Sequence, residues 1–503
     1  LELTGNFSKS GPNGGPDPLV VAYLQKFPYF QPNPALAAQG IIAQSSINPV
    51  AENYIKAGLV PSTPSGTLFQ QGPTLDNNDE ITERVDVVAT EKDRISVTLH
   101  AIRDTQINPS TVGLGNPSGN GGTYNNEYGG NRYLGSVAYT KTLSADMVNE
   151  FRLTAQRNDI RQAYPGSELP TASALGVGIT PDQPTGPPRI GFISDGFTLG
   201  FSPQGPTQLI NNTYIWNDTL SWQHGNHGFK MGFNFTPFQN NTIYDFFVNG
   251  EFDFFGTSGG GSFSMNDRAD FLMGLPDDLF QAPKAPSNIR THNVAGFFQD
   301  EWKARKNLTL TLGLRYEYSS PKLDTEDRTF SLHIDQQSVV FPGAPEGLLF
   351  PGDPGAPRGV NFPDRTNFAP RFGFAWDPKG DGKMSIRGGG GIFYDILKGE
   401  DNLQFNGQIP FESSAFLTFN PLSGNPTGPV NYLSDPFGAD GVPNPFPSKP
   451  PNHDINFADA GFLPIGGAGV FYVNPHLKTP YIYQYNLSVQ RELWKDTTLE
   501  VSY

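Results

Sequence analysis

Residues Asn307–Ser319 read NLTLTLGLRYEYS. Side chains of a strand alternate between its two faces. Leu308, Leu310, Leu312, Leu314, Tyr316 and Tyr318 therefore share one face, and Thr309, Thr311, Gly313, Arg315 and Glu317 share the other. One face is wholly apolar and the other polar. A strand of a soluble sandwich alternates in the same way, with its apolar face against a second sheet, so the rest of the chain decides which solvent each face meets.

At 503 residues the chain is longer than one soluble β domain usually is, which leaves several domains or one large barrel. Its 57 Gly and 46 Pro exceed ordinary usage yet stay below the ~25–30% of disordered low-complexity chains, and so point to many turns and long connections. Phe (39) and Tyr (19) supply burial that disordered segments lack. The net charge of −15, spread along the chain, argues against a nucleic-acid partner. With no cysteine there is neither a disulfide scaffold nor a thiolate-held metal. No run reaches the ~18 apolar residues of a spanning helix. The chain opens at Leu1 without a basic segment leading into an apolar one, and reads as a fragment or mature segment.

The opening pattern recurs in six hairpins. Val85, Val87 and Ala89 share a face, TEKDR follows, and Ile95, Val97, Leu99 and Ala101 share the next. RYLGSVAYT leads to VNEFRLTA, YIWNDTLSWQ to FKMGFNF, and NVAGFFQDEW through KARKN to the opening stretch. RFGFAW leads through DPKGDGK to MSIRGGGGIFY, and YIYQYNLSVQREL through WKDTT to LEVSY. Between hairpins lie long Gly-, Pro- and Asn-rich segments at 104–131, 156–211, 237–292, 319–370 and 397–480. Short and long connections alternate strictly, as in a transmembrane barrel with short turns on one side and long loops on the other. Leu308–Tyr318 matches the ~9–11 residues needed to cross a bilayer as a tilted strand. Trp302, Trp376, Trp494, Tyr481 and Tyr483 stand near strand ends, where an interfacial girdle needs them. Tandem sandwiches rarely carry such long connectors at every second turn. The expected fold is all-β: a large antiparallel transmembrane β-barrel with long extracellular loops, its apolar face on lipid and its polar face on a wet lumen.

Several motifs have bland readings that outweigh sharper ones. Gly256–Gly260 fits G-x-S-x-G, but no hydrophobic strand runs through it into a helix, so it reads as a loop. His224 and His227 lack a third metal ligand nearby and read as a hairpin tip. Gly388–Gly391 lacks dinucleotide-loop spacing and reads as a strand that bends or lets a neighbour approach closely. Asp300-Glu301 and Asp277-Asp278 are adjacent, so on a strand each pair splits across the faces. TLDNNDEIT lacks calcium-loop spacing and reads as a solvated loop. Tyr124, Tyr128 and Arg132 read as ordinary loop residues. No catalytic constellation, metal set or cofactor motif emerges.

ADFLMGLP (269–276), FFQDEWKARKNLTLTLGLRYE (297–317), FAPRFGFAWDPKGDGKMSIRGGGGIFYD (368–395) and TPYIYQYNLSVQRELWKDTTLEVSY (479–503) resemble the recurrent barrel motifs of Oar-like TonB-dependent transporters. RVDVVATEKDRISVTLHAIRD and LPTASALGVGITP carry the resemblance back to Arg84. It implies an outer-membrane barrel of about 22 strands that moves a bulky ligand, energised through TonB and gated by an N-terminal plug. On this reading residues 1–79 are early barrel or loop with a short helix around Ile47–Pro61, and 80–503 are barrel, incomplete at the C-terminus. Signal peptide, TonB-contact segment and plug fall outside the chain. Further strands are expected within 243–255 and 328–341.

Arg315, Glu317 and Arg387 are the lumen-facing candidates for substrate contact, because a charge on the lipid face costs ~2–4 kcal/mol at the bilayer midplane; ion pairing within the lumen or contact with a plug is their plainer role. The expected partners are outer-membrane lipid, TonB and an unidentified bulky ligand, in the cell outer membrane. A passive or structural barrel or adhesin without energy coupling is the second reading. A secreted soluble β protein is the third, and it would fractionate without detergent.

Overall fold

The computed structural model of the chain describes residues 1–62, 75–108, 126–163, 169–201, 203–284, 286–395, 410–411, 414–420, 426–449, 454–457 and 472–503. Among the described residues, twelve strands follow one another in chain order across one antiparallel sheet. They are β1 (Leu75–Val88), β2 (Asp93–Asn108), β3 (Asn126–Ser144), β4 (Met147–Ala163), β5 (Gln204–His224), β6 (His227–Phe246), β7 (Pro286–Arg305), β8 (Leu308–Ser319), β9 (Phe368–Trp376), β10 (Met384–Tyr394), β11 (Tyr481–Trp494) and β12 (Thr497–Ser502). All six expected hairpins are present, with turns at 89–92, 145–146, 225–226, 306–307, 377–383 and 495–496. A two-residue strand, Leu323–Asp324, adds to the edge of β7.

Register carries the alternation from strand to strand. Val97 pairs Val137, Val137 pairs Leu153, and Leu153 pairs Trp216. The row continues through Phe235 and Val294 to Tyr318. Paired residues of neighbouring strands point to one face, so seven strands present an unbroken apolar row. One residue along, the Ser136 and Thr154 hydroxyls lie 3.0 Å apart on the opposite face. A slip of one residue anywhere would exchange the faces.

Several strands outrun the bilayer: β5 has 21 residues and β6 and β7 have 20 each, against the ~9–11 that cross. Their excess lies at the ends opposite the short turns. Leu75–Thr82 of TLDNNDEIT accordingly belong to β1 and are not a loop, since β2 pairs with them from Leu75↔Ile107 onward. Tyr128 and Arg132 are likewise strand residues, on β3, and Arg132 holds Asp104 at 2.8 Å. Tyr124 lies outside the described residues.

The long connections build a folded cap at that end. Residues 1–62 contribute the helices Pro18–Lys26 and Pro49–Lys56, each begun by a side chain that accepts from the first turn (Asp17 from Leu19, Asn48 from Val50) and by a proline at the first helical position. The short helix expected near Ile47–Pro61 is the second of these. Phe7, Leu24 and Tyr54 are fully buried with Leu175, Ile190, Phe252, Phe271 and Phe419, which come from the connections β4–β5, β6–β7 and β10–β11. A five-stranded sheet in the order Ala415–Thr418, Asp278–Gln281, Glu251–Phe254, Arg189–Phe192, Phe197–Leu199 belongs to this core. A second core of Phe330, Phe341, Phe350 and Phe457 joins the β8–β9 and β10–β11 connections. Glu251–Phe254 and Ser331–Leu332 sit where further strands were expected, but they form these small cap sheets and not the wall.

Candidate functional site

The polar face of the wall is the candidate passage. One row of paired residues on it runs Lys230, Gln299, Gly313, Arg371, Gly391, Gln484 across β6 to β11. Arg371 sits between two glycines, and a Cβ at Gly391 would stand 3.0 Å from its Cγ. The missing side chains let the arginine lie along the wall, its guanidinium carbon 4.5 Å from the centre of the Phe393 ring, the geometry of a cation–π contact. No carboxylate among the described residues pairs with Arg371.

Arg315 and Glu317 stand two apart on β8 and share this face, with Arg315 Nε donating to Glu317 Oε1 at 2.6 Å. The same spacing pairs Arg84 with Asp86 (2.8 Å) and Arg152 with Glu150 (3.1 Å) on the inner faces of β1 and β4. Arg387 is exposed and donates through Nε to Ser385 Oγ at 3.0 Å. The three lumen candidates thus lie on the expected face but form no single cluster: two neutralise each other, and Arg387 faces Ala375 on the next strand. Arg371 and Lys230 are inner-face cations beyond the three sequence candidates. The signal was there, because FAPRFGFAW places Phe368, Pro370, Phe372 and Phe374 on one face and leaves Arg371 alone on the other.

The other motifs resolve structurally. Asp300 and Glu301 do split across the faces, Asp300 pairing Leu312 and Glu301 pairing Thr311. His227 Nδ1 lies 2.8 Å from Asp300 Oδ2, and the His224 ring packs against Trp222. Gly388–Gly391 is strand β10. Gly256 has φ +55 in a turn whose Thr257 and Ser258 N–H groups donate to Ser194 Oγ, with no strand leading into a helix there.

The cap holds its own buried charge. Arg189 Nη1 and Glu251 Oε2 are 3.3 Å apart on one face of the five-stranded sheet, which Asp253 and Asp278 share by register. Burial pushes the Asp278 carboxyl up to about 8, with the charges of Asp253 and Asp277 adding to it. Burial also raises Glu251 and Asp253, against the pull of Arg189. Gly191 leaves the space Asp253 needs, since a Cβ there would stand 2.0 Å from its Oδ1.

No curated protein matches the chain in sequence. Among solved structures it is similar to the outer membrane transporter YddB from Escherichia coli, with TM-score 0.46 and 11% identity over 86% of this chain and 40% of that one. It is also similar to the copper transporter OprC (TM-score 0.40, 11% identity, 84% and 43%) and to the siderophore receptor PirA from Acinetobacter baumannii (TM-score 0.37, 10% identity, 85% and 42%). The chain spans less than half the length of these proteins. The family model described as "Outer membrane beta barrel domain" matches residues 1–503, so the chain belongs to that family and is a β-barrel protein of the cell outer membrane.

Proposed function

We propose that the chain is the barrel portion of a TonB-dependent transporter that carries a bulky substrate through the outer membrane, with a plug as its gate. The observation that supports this most is the division of the wall. Its apolar face meets lipid, while its inner face carries Lys230, Arg371, Arg387 and the Arg315–Glu317 pair, a wet surface suited to a polar cargo or to a plug. On this reading residues 1–79 are early barrel and loop sequence with a short helix, of which 1–62 pack into the cap, 80–503 are barrel with the other cap connections, and Arg315, Glu317 and Arg387 line the passage. No catalytic role is assigned.

The cored cap favours a second reading, an adhesin or structural barrel that works through its outer surface without energy coupling. Planar-bilayer conductance and TonB capture with the protein purified from its native membrane separate the two. A closed pore that binds the periplasmic domain of TonB supports the transporter. A pore that conducts steadily and ignores TonB overturns it.

A further inference from the structure

On the outward face Gly388 and Gly390 of β10 stand among Phe372, Phe374 and Tyr485. With no side chain at Gly390 the wall is hollowed into an apolar groove of about 820 Å³, lined by Phe298, Leu312, Leu314, Phe372, Ile392 and Tyr485. Asp300 lies at one end of it.

This carboxylate is out of keeping with its surroundings. Register sets it between Phe229 and Leu312 on the lipid side. Oδ2 meets His227, whose ring stacks between Phe229 (5.5 Å) and Trp302 (5.6 Å). Oδ1 is shielded from water and has no hydrogen-bond partner, while the side chain as a whole keeps 17% of its surface accessible from the groove. A buried acceptor without a donor is costly and calls for a ligand or a strong structural reason.

The level of Asp300 in the membrane follows from the tryptophans. Trp222, Trp302, Trp376 and Trp494 all stand at the short-turn ends of their strands, where an interfacial belt belongs. Asp300 is two residues inward of Trp302, so one end of the groove lies just beneath the headgroups and its body among the acyl chains. Below it the exposed Lys303, Arg305 and Lys306 attract the phosphate of any phospholipid.

We propose that this groove is a site for an aminophospholipid of the short-turn leaflet, with an acyl chain over Gly390 and the headgroup ammonium donating to Asp300. The carboxylate selects for the headgroup. A phosphatidylglycerol head brings no cation, and a choline head brings a cation with no N–H to donate. The inference rests on the outer-membrane location alone, so it stands or falls independently of transport.

The test uses the full chain in nanodiscs of phosphatidylethanolamine and phosphatidylglycerol with matched acyl chains, and quantifies the lipid retained after partial delipidation. Wild type should retain phosphatidylethanolamine in about threefold excess over its share, the scale of one charge-assisted contact near water. Asp300→Asn should bring the ratio to that of the bulk lipid. Gly390→Leu, which fills the groove, should lower retention of both lipids, and heat-modifiable gel mobility reports that each variant is assembled. No phosphatidylethanolamine excess in wild type, or an undiminished excess in assembled Asp300→Asn, overturns the proposal.

Discussion

Arg371 and Leu312 sit one register step apart, Arg371 opposite Gly313 and Leu312 opposite Phe372, yet they face different solvents. Both are exposed, Leu312 to 46%. Because the chain has no cysteine, a single introduced thiol reports on its own surroundings. Arg371→Cys should react with a charged, membrane-impermeant thiol reagent added to outer membranes. Leu312→Cys should resist it and react only with an apolar maleimide. The reverse pattern would mean that the wall has been read inside out.

The same division has an energetic form. Leu312→Arg puts a charge on the lipid face one step inward of the Trp302 row and should cost about 1–2 kcal/mol of barrel stability, between the interfacial and midplane penalties for a lipid-facing cation, while Thr311→Arg should cost little. Reversible urea unfolding in lipid vesicles, followed by heat-modifiable mobility, measures both. Equal losses from the two substitutions would remove the distinction.

The fold is legible in the sequence as far as period-two alternation reaches. The alternation is strong wherever two solvents meet, and it located all six hairpins, including β8 with its eleven alternating residues from Leu308 to Tyr318. It was silent on the cap, because segments such as Arg189–Phe192 and Glu251–Phe254 are buried on both faces and only four residues long. They pair with each other in parallel from two different connections, so only tertiary packing reveals them. Leu75–Thr82 look like a loop in the sequence for a related reason: above the bilayer both faces of β1 are wet and the alternation disappears, while the hydrogen-bonded ladder with β2 continues. Asp300 does not stand out in the sequence because beside Glu301 it is one half of a split pair, and its contact with His227 joins residues remote in sequence.

Tyr54 ties the segment before β1 to the cap. It is fully buried, its hydroxyl donates to the Pro188 carbonyl at 3.0 Å, and its ring meets Phe271 edge-on. Tyr54→Ala should cost the cap about 3–5 kcal/mol. Gly274→Ala acts at the same seam, since Gly274 has φ +73 and a Cβ there would stand 2.1 Å from Asn48 Nδ2. Limited proteolysis of intact outer membranes should show both variants cut within 1–62 and 172–282 while the barrel keeps its heat-modifiable mobility. Simultaneous loss of barrel and cap would show that the two do not fold as separable units.

The carboxylates buried within the cap make its stability depend on pH. Asp278 is pushed up to about 8 and Asp267 to about 6, both chiefly by burial, and Glu251 and Asp253 are raised beside Arg189. Each folded-state value lies above that of the unfolded chain, near ~4 for carboxyls, so the folded cap holds its protons more tightly than the unfolded one. The stability this contributes is complete below pH ~4 and is lost as pH rises through about 6 for Asp267 and about 8 for Asp278. Amide hydrogen exchange, corrected for its intrinsic pH dependence, should show Glu251–Phe254 and Asp278–Gln281 opening more readily at pH ~8.5 than at pH ~5.5, the window those shifts define. Asp278→Asn, which cannot ionise, should remove part of that difference and leave the exchange of β7 and β8 unchanged. Protection that stays flat across this window, or falls towards acid, would show that these groups are ionised in the folded cap.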